Sequence, residues 1–186
     1  MSSCIIILGG EFSPMPKHID AEYIIACDSG YTNALKLGIT PNAVIGDFDS
    51  YEGNPDDIPT GIEVLKFNPI KDDTDCMLAL RHAIDRGYSH IIFLCALGGR
   101  LDHIMGNIQS MTFAATKGLR TELFSATEYM AVLTPGNHII PKKNGYSLSL
   151  FSLSDKCEGV SIAGSEYDIS NFTITNFFPI GYGNSH

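Results

Sequence analysis

The chain has no tryptophan among its 186 residues. Aromatic stacking, wherever it is needed, falls to tyrosine, phenylalanine or histidine. Basic residues are scarce as well: 12 Lys and Arg stand against 21 Asp and Glu, a formal net charge of −9 with a pI near 4.9. Lys142-Lys143 is the longest basic cluster, which argues against nucleic acid or an anionic membrane as a partner. A protein this acidic needs a cation to approach a phosphorylated substrate. Cysteine is present without pattern: Cys4, Cys27, Cys76, Cys95 and Cys157 are odd in number and form no C-x-x-C pair. A disulfide framework and a zinc site are therefore not expected, and buried thiols in a reducing cytoplasm are. No apolar run approaches the ~20 residues that cross a bilayer. The opening MSSCIIILGGEF has no basic n-region, so no signal peptide is expected. There is no internal repeat and no low-complexity segment. A hydrophobic fraction of 44% and a charged fraction of 18% are those of a soluble globular protein able to bury a sizeable core.

The first two-thirds of the chain alternate short apolar runs with helical patterns. Residues 4–8, 23–27, 43–46, 62–67 and 90–97 read as strands, most of them ending in Gly or Asp. Residues 32–37, 73–86 and 101–117 read as helices, stopped by Gly38, Gly87 and Gly118. Strands apolar throughout and alternating with helices imply a mostly parallel sheet covered on both faces. Near residue 120 the grammar changes to short β-branched or aromatic segments: 120–126, 128–136, 146–154, 159–164 and 167–175. The run 146–154 alternates almost strictly, as a strand with one wet face does. The expectation is an open, mostly parallel, Rossmann-like α/β domain over residues 1–127, followed by an antiparallel β-sandwich over residues 128–186.

Chemistry concentrates where strands end. After Ala43-Val44-Ile45-Gly46 come Asp47 and Asp49, separated by Phe48. In an extended chain the two carboxylates share a face while Phe48 turns the other way. They repel unless a cation or a proton lies between them, and all-oxygen ligands of this kind suit Mg²⁺. The plain alternative is a polar turn after a strand. Asp72 and Asp75, three apart at a helix start, can share one face, and Asp73 is a candidate N-cap. Gly98-Gly99 lets backbone approach a ligand, and Arg100 can hold a phosphate with two hydrogen bonds. Asp28-Ser29-Gly30 completes a set of four polar loops, each following an apolar run. In open α/β sheets ligands bind beyond the carboxyl ends of the strands, so the four loops are expected to converge.

The order CDSG, IGDFDS, KDDTD and ALGGRLDH, with Asn107 a turn later and Gly38-Ile-Thr-Pro41 before the second motif, resembles thiamine pyrophosphokinase over roughly residues 4–184. The resemblance implies transfer of the pyrophosphoryl group of ATP to the hydroxyl of thiamine, with AMP released. It implies a homodimer whose thiamine sites lie between subunits. Carried over by motif, Asp47, Asp49 and Asp75 would surround Mg²⁺. Asp72 would sit at the thiamine hydroxyl, with Asp72, Asp47 and Asp75 the catalytic carboxylates. Asp28, Ser29, Arg100, Asp102, His103 and Asn107 would line the ATP side. Asp72, Gly181, Tyr182 and Asn184 would face thiamine. The last motif reads Pro179-Ile-Gly181-Tyr-Gly183-Asn184, with glycine where the family has serine, and the chain stops at His186, where family members add a further strand or two. The residues leave open a related diphosphokinase acting on another small alcohol of the hydroxymethylpterin type, a nucleotide-sugar glycosyltransferase, and a catalytically silent nucleotide- or thiamine-binding protein.

Overall fold

The computed structural model describes residues 2–48, 53–54, 57–67, 73–165, 168–178 and 184–185. The chain divides into two units, Met1–Pro135 and Gly136–His186. The first is organised on β1 (Ser3–Ile7), which sends Cys4 and Ile6 into one apolar cluster and Ile5 and Ile7 into another. A strand apolar on both faces must be covered on both. Ile5, Ile6 and Ile7 are fully buried, each worth about 1.5–3 kcal/mol of transfer free energy.

Around β1 lie β2 (Tyr23–Cys27), β3 (Ala43–Gly46), β4 (Glu63–Lys66), β5 (His90–Leu94), β6 (Arg120–Phe124) and β7 (Tyr129–Val132). They form one seven-stranded sheet in the order β4-β3-β2-β1-β5-β6-β7. Every pairing is parallel except β6 with β7. Helices α2 (Asp75–Asp85) and α3 (Leu101–Thr116) bury Cys76, Ala79, Leu80, Met111 and Ala114 against the Cys4/Ile6 face. Helix α1 (Gly30–Lys36) brings Tyr31 and Ala34 to the opposite face, beside Phe48, Ile58 and Ile62. No helix among the described residues is long and apolar enough to cross a membrane.

Two details of this first unit differ from the sequence reading. The N-cap of α2 is Thr74, whose hydroxyl accepts the Met77 N–H at 3.2 Å. Asp73 instead accepts from Arg81 Nε at 3.0 Å, since a cap one residue nearer the helix satisfies the free N–H better. Strand β7 lies in the region read as all-β, yet it is the antiparallel edge of the first sheet. A buried carboxylate ties it there. Glu122 on β6 accepts from the Tyr129 hydroxyl at 2.6 Å and from Arg120 at 2.9 Å, and its other oxygen lies 2.5 Å from His90 Nε2 on β5. Burial alone would raise its pKa, but the hydrogen bonds from His90, Tyr129 and Arg120 outweigh that and hold it near 2. Burial, then the bond to Glu122, pushes Tyr129 up to about 12.

In the second unit β9 (Lys156–Ile162) pairs antiparallel with β10 (Ile169–Thr175), and β8 (Ser147–Leu148) with β11 (Asn184–Ser185). The strand expected over 146–154 is thus only two residues long. Its alternation breaks at Leu150-Phe151, and Ser152 and Ser154 hydroxyls donate to the carbonyls of Ser154 and Lys156 at 2.7 and 2.9 Å. Such local side-chain bonds compete with a strand ladder.

Candidate active site

Three carboxylates meet at the carboxyl end of the first sheet. Asp28 directly follows β2, Asp47 follows β3, and Asp75 opens α2. Each offers an oxygen, and the three oxygens lie within 4.8 Å of one another. Asp28 is buried, and Asp47 and Asp75 are half-buried. Like charges this close favour a bound cation or a retained proton. An all-oxygen donor set is hard and suits Mg²⁺. Asp75 also stands in the first turn of its helix, where the dipole favours an anion.

Local backbone makes the convergence possible. The Asp28 N–H donates to the Ile45 carbonyl at 2.9 Å, and Asp28 itself has φ +47°. Gly46 passes so near that a Cβ there would lie 3.1 Å from Asp28 Cβ. Phe48 has φ +64° and is 8% exposed within the apolar cluster on the α1 face. A left-handed non-glycine residue costs about 1–2 kcal/mol, and burying a phenylalanine returns about 1.5–3 kcal/mol. Burial wins. Cys95, directly after β5, is also left-handed at φ +53°. Non-glycine residues in this conformation persist where surroundings over-determine them, commonly at functional sites.

The turn Asp28-Ser29-Gly30 rests against the tail of β1. A side chain at Gly9 would strike the Ser29 hydroxyl, and one at Gly30 would strike the Ile7 carbonyl. Asn33 of α1 donates to the Leu8 and Gly10 carbonyls at 2.9 and 3.1 Å. The Gly9-Gly10 tail continues beside β5, with Gly10 N–H donating to Cys95 O at 2.9 Å. Between β1 and β5 the strand order reverses, which is where open α/β sheets take their ligands. Gly9, Gly10 and Asn33 were not singled out in the sequence; the Gly-Gly ending an apolar run was the available signal.

The residues after β5 form a separate group. Arg100 donates twice to Asp102, at 3.1 and 2.6 Å, and the Asp102 carboxylate also accepts the His103 N–H at 3.0 Å. The bond from Arg100 holds the Asp102 carboxyl below its usual range. Arg100 and Asp102 are exposed, so the guanidinium can reach an incoming anion by exchanging partners. Asn107 is buried and donates to the Ala96 carbonyl at 2.9 Å, a bond that fixes the loop leading into α3.

The structure therefore gathers Asp47 and Asp75, read as metal ligands, and adds Asp28, read as a nucleotide residue. Asp49, Asp72, Gly181 and Tyr182 lie outside the described residues. Asn184 opens β11 in the second unit, and its backbone pairs with Leu148.

Comparison with known proteins accords with this geometry. The family model described as thiamin pyrophosphokinase, catalytic domain, matches residues 18–123, more than half of the chain. A thiamine pyrophosphokinase of Bacillus subtilis (strain 168) is 29% identical over 182 residues, covering 94% of this chain and 85% of that protein. The crystal structure of thiamine pyrophosphokinase from Bacillus subtilis superposes with a TM-score of 0.86 at 25% identity, over 99% of this chain and 89% of the other. That of thiamin pyrophosphokinase from Geobacillus thermodenitrificans gives 0.78 at 25% identity, over 95% and 84%. The chain belongs to the thiamin pyrophosphokinase family, whose reaction is ATP-dependent pyrophosphoryl transfer to thiamine.

Proposed function

We propose that this chain makes thiamine diphosphate and AMP from thiamine and ATP at the carboxyl end of its first sheet, with Mg²⁺ held there by its aspartates. The convergence of Asp28, Asp47 and Asp75 carries the reading. These are the described residues that would hold the ion, with Asp49 the further candidate two positions after Asp47. A bound Mg²⁺ would neutralise phosphate charge and align the phosphate chain. The remaining work is positioning and charge placement. Arg100 would leave Asp102 to take a phosphate oxygen, a short exchange for an exposed pair. Ser29 and His103 would border the same nucleotide, with Asn107 holding the loop in place. The thiamine hydroxyl oxygen forms a bond to the β-phosphorus while the bond from that phosphorus to the α–β bridging oxygen breaks. AMP leaves with the electron pair. A primary alcohol is too weakly acidic to ionise beforehand, so its proton passes to a nearby carboxylate late in the transfer, and Asp72 is assigned that role. Full turnover by Asp72→Asn would remove it.

The finer architecture belongs to the same proposal: a Rossmann-like first domain, and a β-sandwich in the second unit carrying Gly181, Tyr182 and Asn184 to thiamine. The second unit exposes Ile139, Phe151 and Phe177 at 96%, 74% and 80%, side chains that the proposed homodimer would be free to cover. Five free thiols, four of them buried, suit a reducing cytoplasm. The test is product identification from ATP, Mg²⁺ and thiamine. AMP and thiamine diphosphate in equal amounts, both dependent on thiamine, are expected. ATP binding with no AMP would point to a silent binding protein, and AMP with another alcohol alone to a different acceptor.

A further inference from the structure

We infer that Phe48 is the positioning residue that holds Asp47 within the carboxylate cluster. The inference rests on reading that cluster as a cation site and adds to it the group that sets its geometry. Phe48 is joined directly to Asp47, so the torsions between them decide where the carboxylate points. Its backbone is left-handed, at φ +64°, a conformation that a phenylalanine leaves unless its ring is held. The ring is held. It is 8% exposed, in a cluster with Ile5, Ile7, Val44 and Ile58. Lys66, the last residue of β4, places its ammonium 5.8 Å from the ring centroid, and Lys66 is in register with Gly46. The ring is therefore clamped between core and cation at the level of the strand end. With Asp28 pinned by its N–H bond to Ile45 and by the close pass of Gly46, two of the three carboxylates are held by residues on β3 or directly after it. A cation site with few protein ligands depends on such support, because groups behind the ligands set their orientation.

Mn²⁺ serves as the probe, since it accepts the same oxygen ligands as Mg²⁺ and its free concentration is read directly by electron paramagnetic resonance. The comparison runs Phe48→Leu, Phe48→Val, Phe48→Ala and Phe48→Gly against the parent. Ile62→Ala is the control, in the same cluster but at the amino end of β4. Affinity should fall in the order Leu, Val, Ala, reaching about a tenfold loss for Ala, the lower end of what loss of a supporting group does to metal binding. Glycine accepts φ +64° without strain, so Phe48→Gly should lose as much as Phe48→Ala if the ring is the anchor. Ile62→Ala should lower the denaturation midpoint comparably and leave Mn²⁺ affinity at the parent value. Equal affinity across the series, parent affinity in Phe48→Gly, or an equal loss in Ile62→Ala would each overturn the inference. If Phe48→Ala does not fold, the Leu and Val steps decide it. A parent that binds no Mn²⁺ would remove the cation site itself and this inference with it, an outcome distinct from a parent that binds and variants that match it.

Discussion

The first unit handles buried and half-buried acid in two opposite ways. Near the amino ends of β5 and β6, the single carboxylate of Glu122 is met by Arg120, Tyr129 and His90, all from neighbouring positions on β5, β6 and β7. At the carboxyl ends of β2 and β3, Asp28, Asp47 and Asp75 are brought to one another instead. The first arrangement completes its charge within the fold and ties an edge strand. The second concentrates charge of one sign, and in the proposed reading a cation would complete it. Their chemistry is the same carboxylate, so neighbours alone separate a structural acid from a functional one.

Four substitutions sharpen that contrast. The largest effect is expected at the cluster: Asp47→Asn should lower thiamine diphosphate turnover about 100-fold or more, several kcal/mol of lost charge stabilisation. Its denaturation midpoint without metal should stay level or rise, because a repelling charge is gone. Asp75→Asn should show the same loss of turnover, with part of the stability gain offset by the lost favourable dipole interaction of α2.

Glu122→Gln should do the reverse. The folded carboxyl sits near 2 against an ordinary 4.5, so it contributes about 3 kcal/mol above the unfolded value. That contribution is lost as pH falls from about 4.5 through about 2. The variant should be less stable by a similar amount at pH 7, and its stability should depend less on pH over that window, as read by urea titration at several pH values. Turnover of the folded fraction should stay within about threefold, an ordinary margin for a change remote from the chemistry.

The smallest structural effect belongs to Arg100→Ala. Its partner Asp102 is exposed and the pair is screened, so the melting temperature should not move. The KM for ATP should rise about tenfold, the usual scale for one lost charged hydrogen bond. An unchanged KM would place Arg100 outside the nucleotide site.

The parallel sheet was legible because β1, β3 and β5 carry unbroken apolar runs, Cys4 to Ile7, Ala43 to Gly46 and Ile91 to Leu94, which only burial on both faces explains. The acidic loops were legible because Asp and Gly follow those runs directly. Strand alternation was expected to turn Phe48 away from Asp47, but β3 ends at Gly46 and Phe48 is left-handed at φ +64°, so its placement and its anchoring role come from the cluster it enters. Asp28 in CDSG looks like a turn residue, and nothing local says that β3 passes beside it closely enough to join it to Asp47. The Glu122 network is invisible in sequence for a related reason. His90, Glu122 and Tyr129 stand on three strands, and only the register His90↔Arg120 and the antiparallel return of β7 bring them together.

The most direct test is thermal unfolding with Mg²⁺ and α,β-methylene-ATP, in which carbon replaces the bridging oxygen whose bond the reaction breaks. A ligand at 100 times its Kd adds about 2.7 kcal/mol of stability, a rise of several degrees for a chain of this size. On the cation-site reading that rise is expected in the parent and in Glu122→Gln, each above its own baseline, and is absent in Asp47→Asn. An equal rise in Asp47→Asn would contradict it, and so would none in the parent.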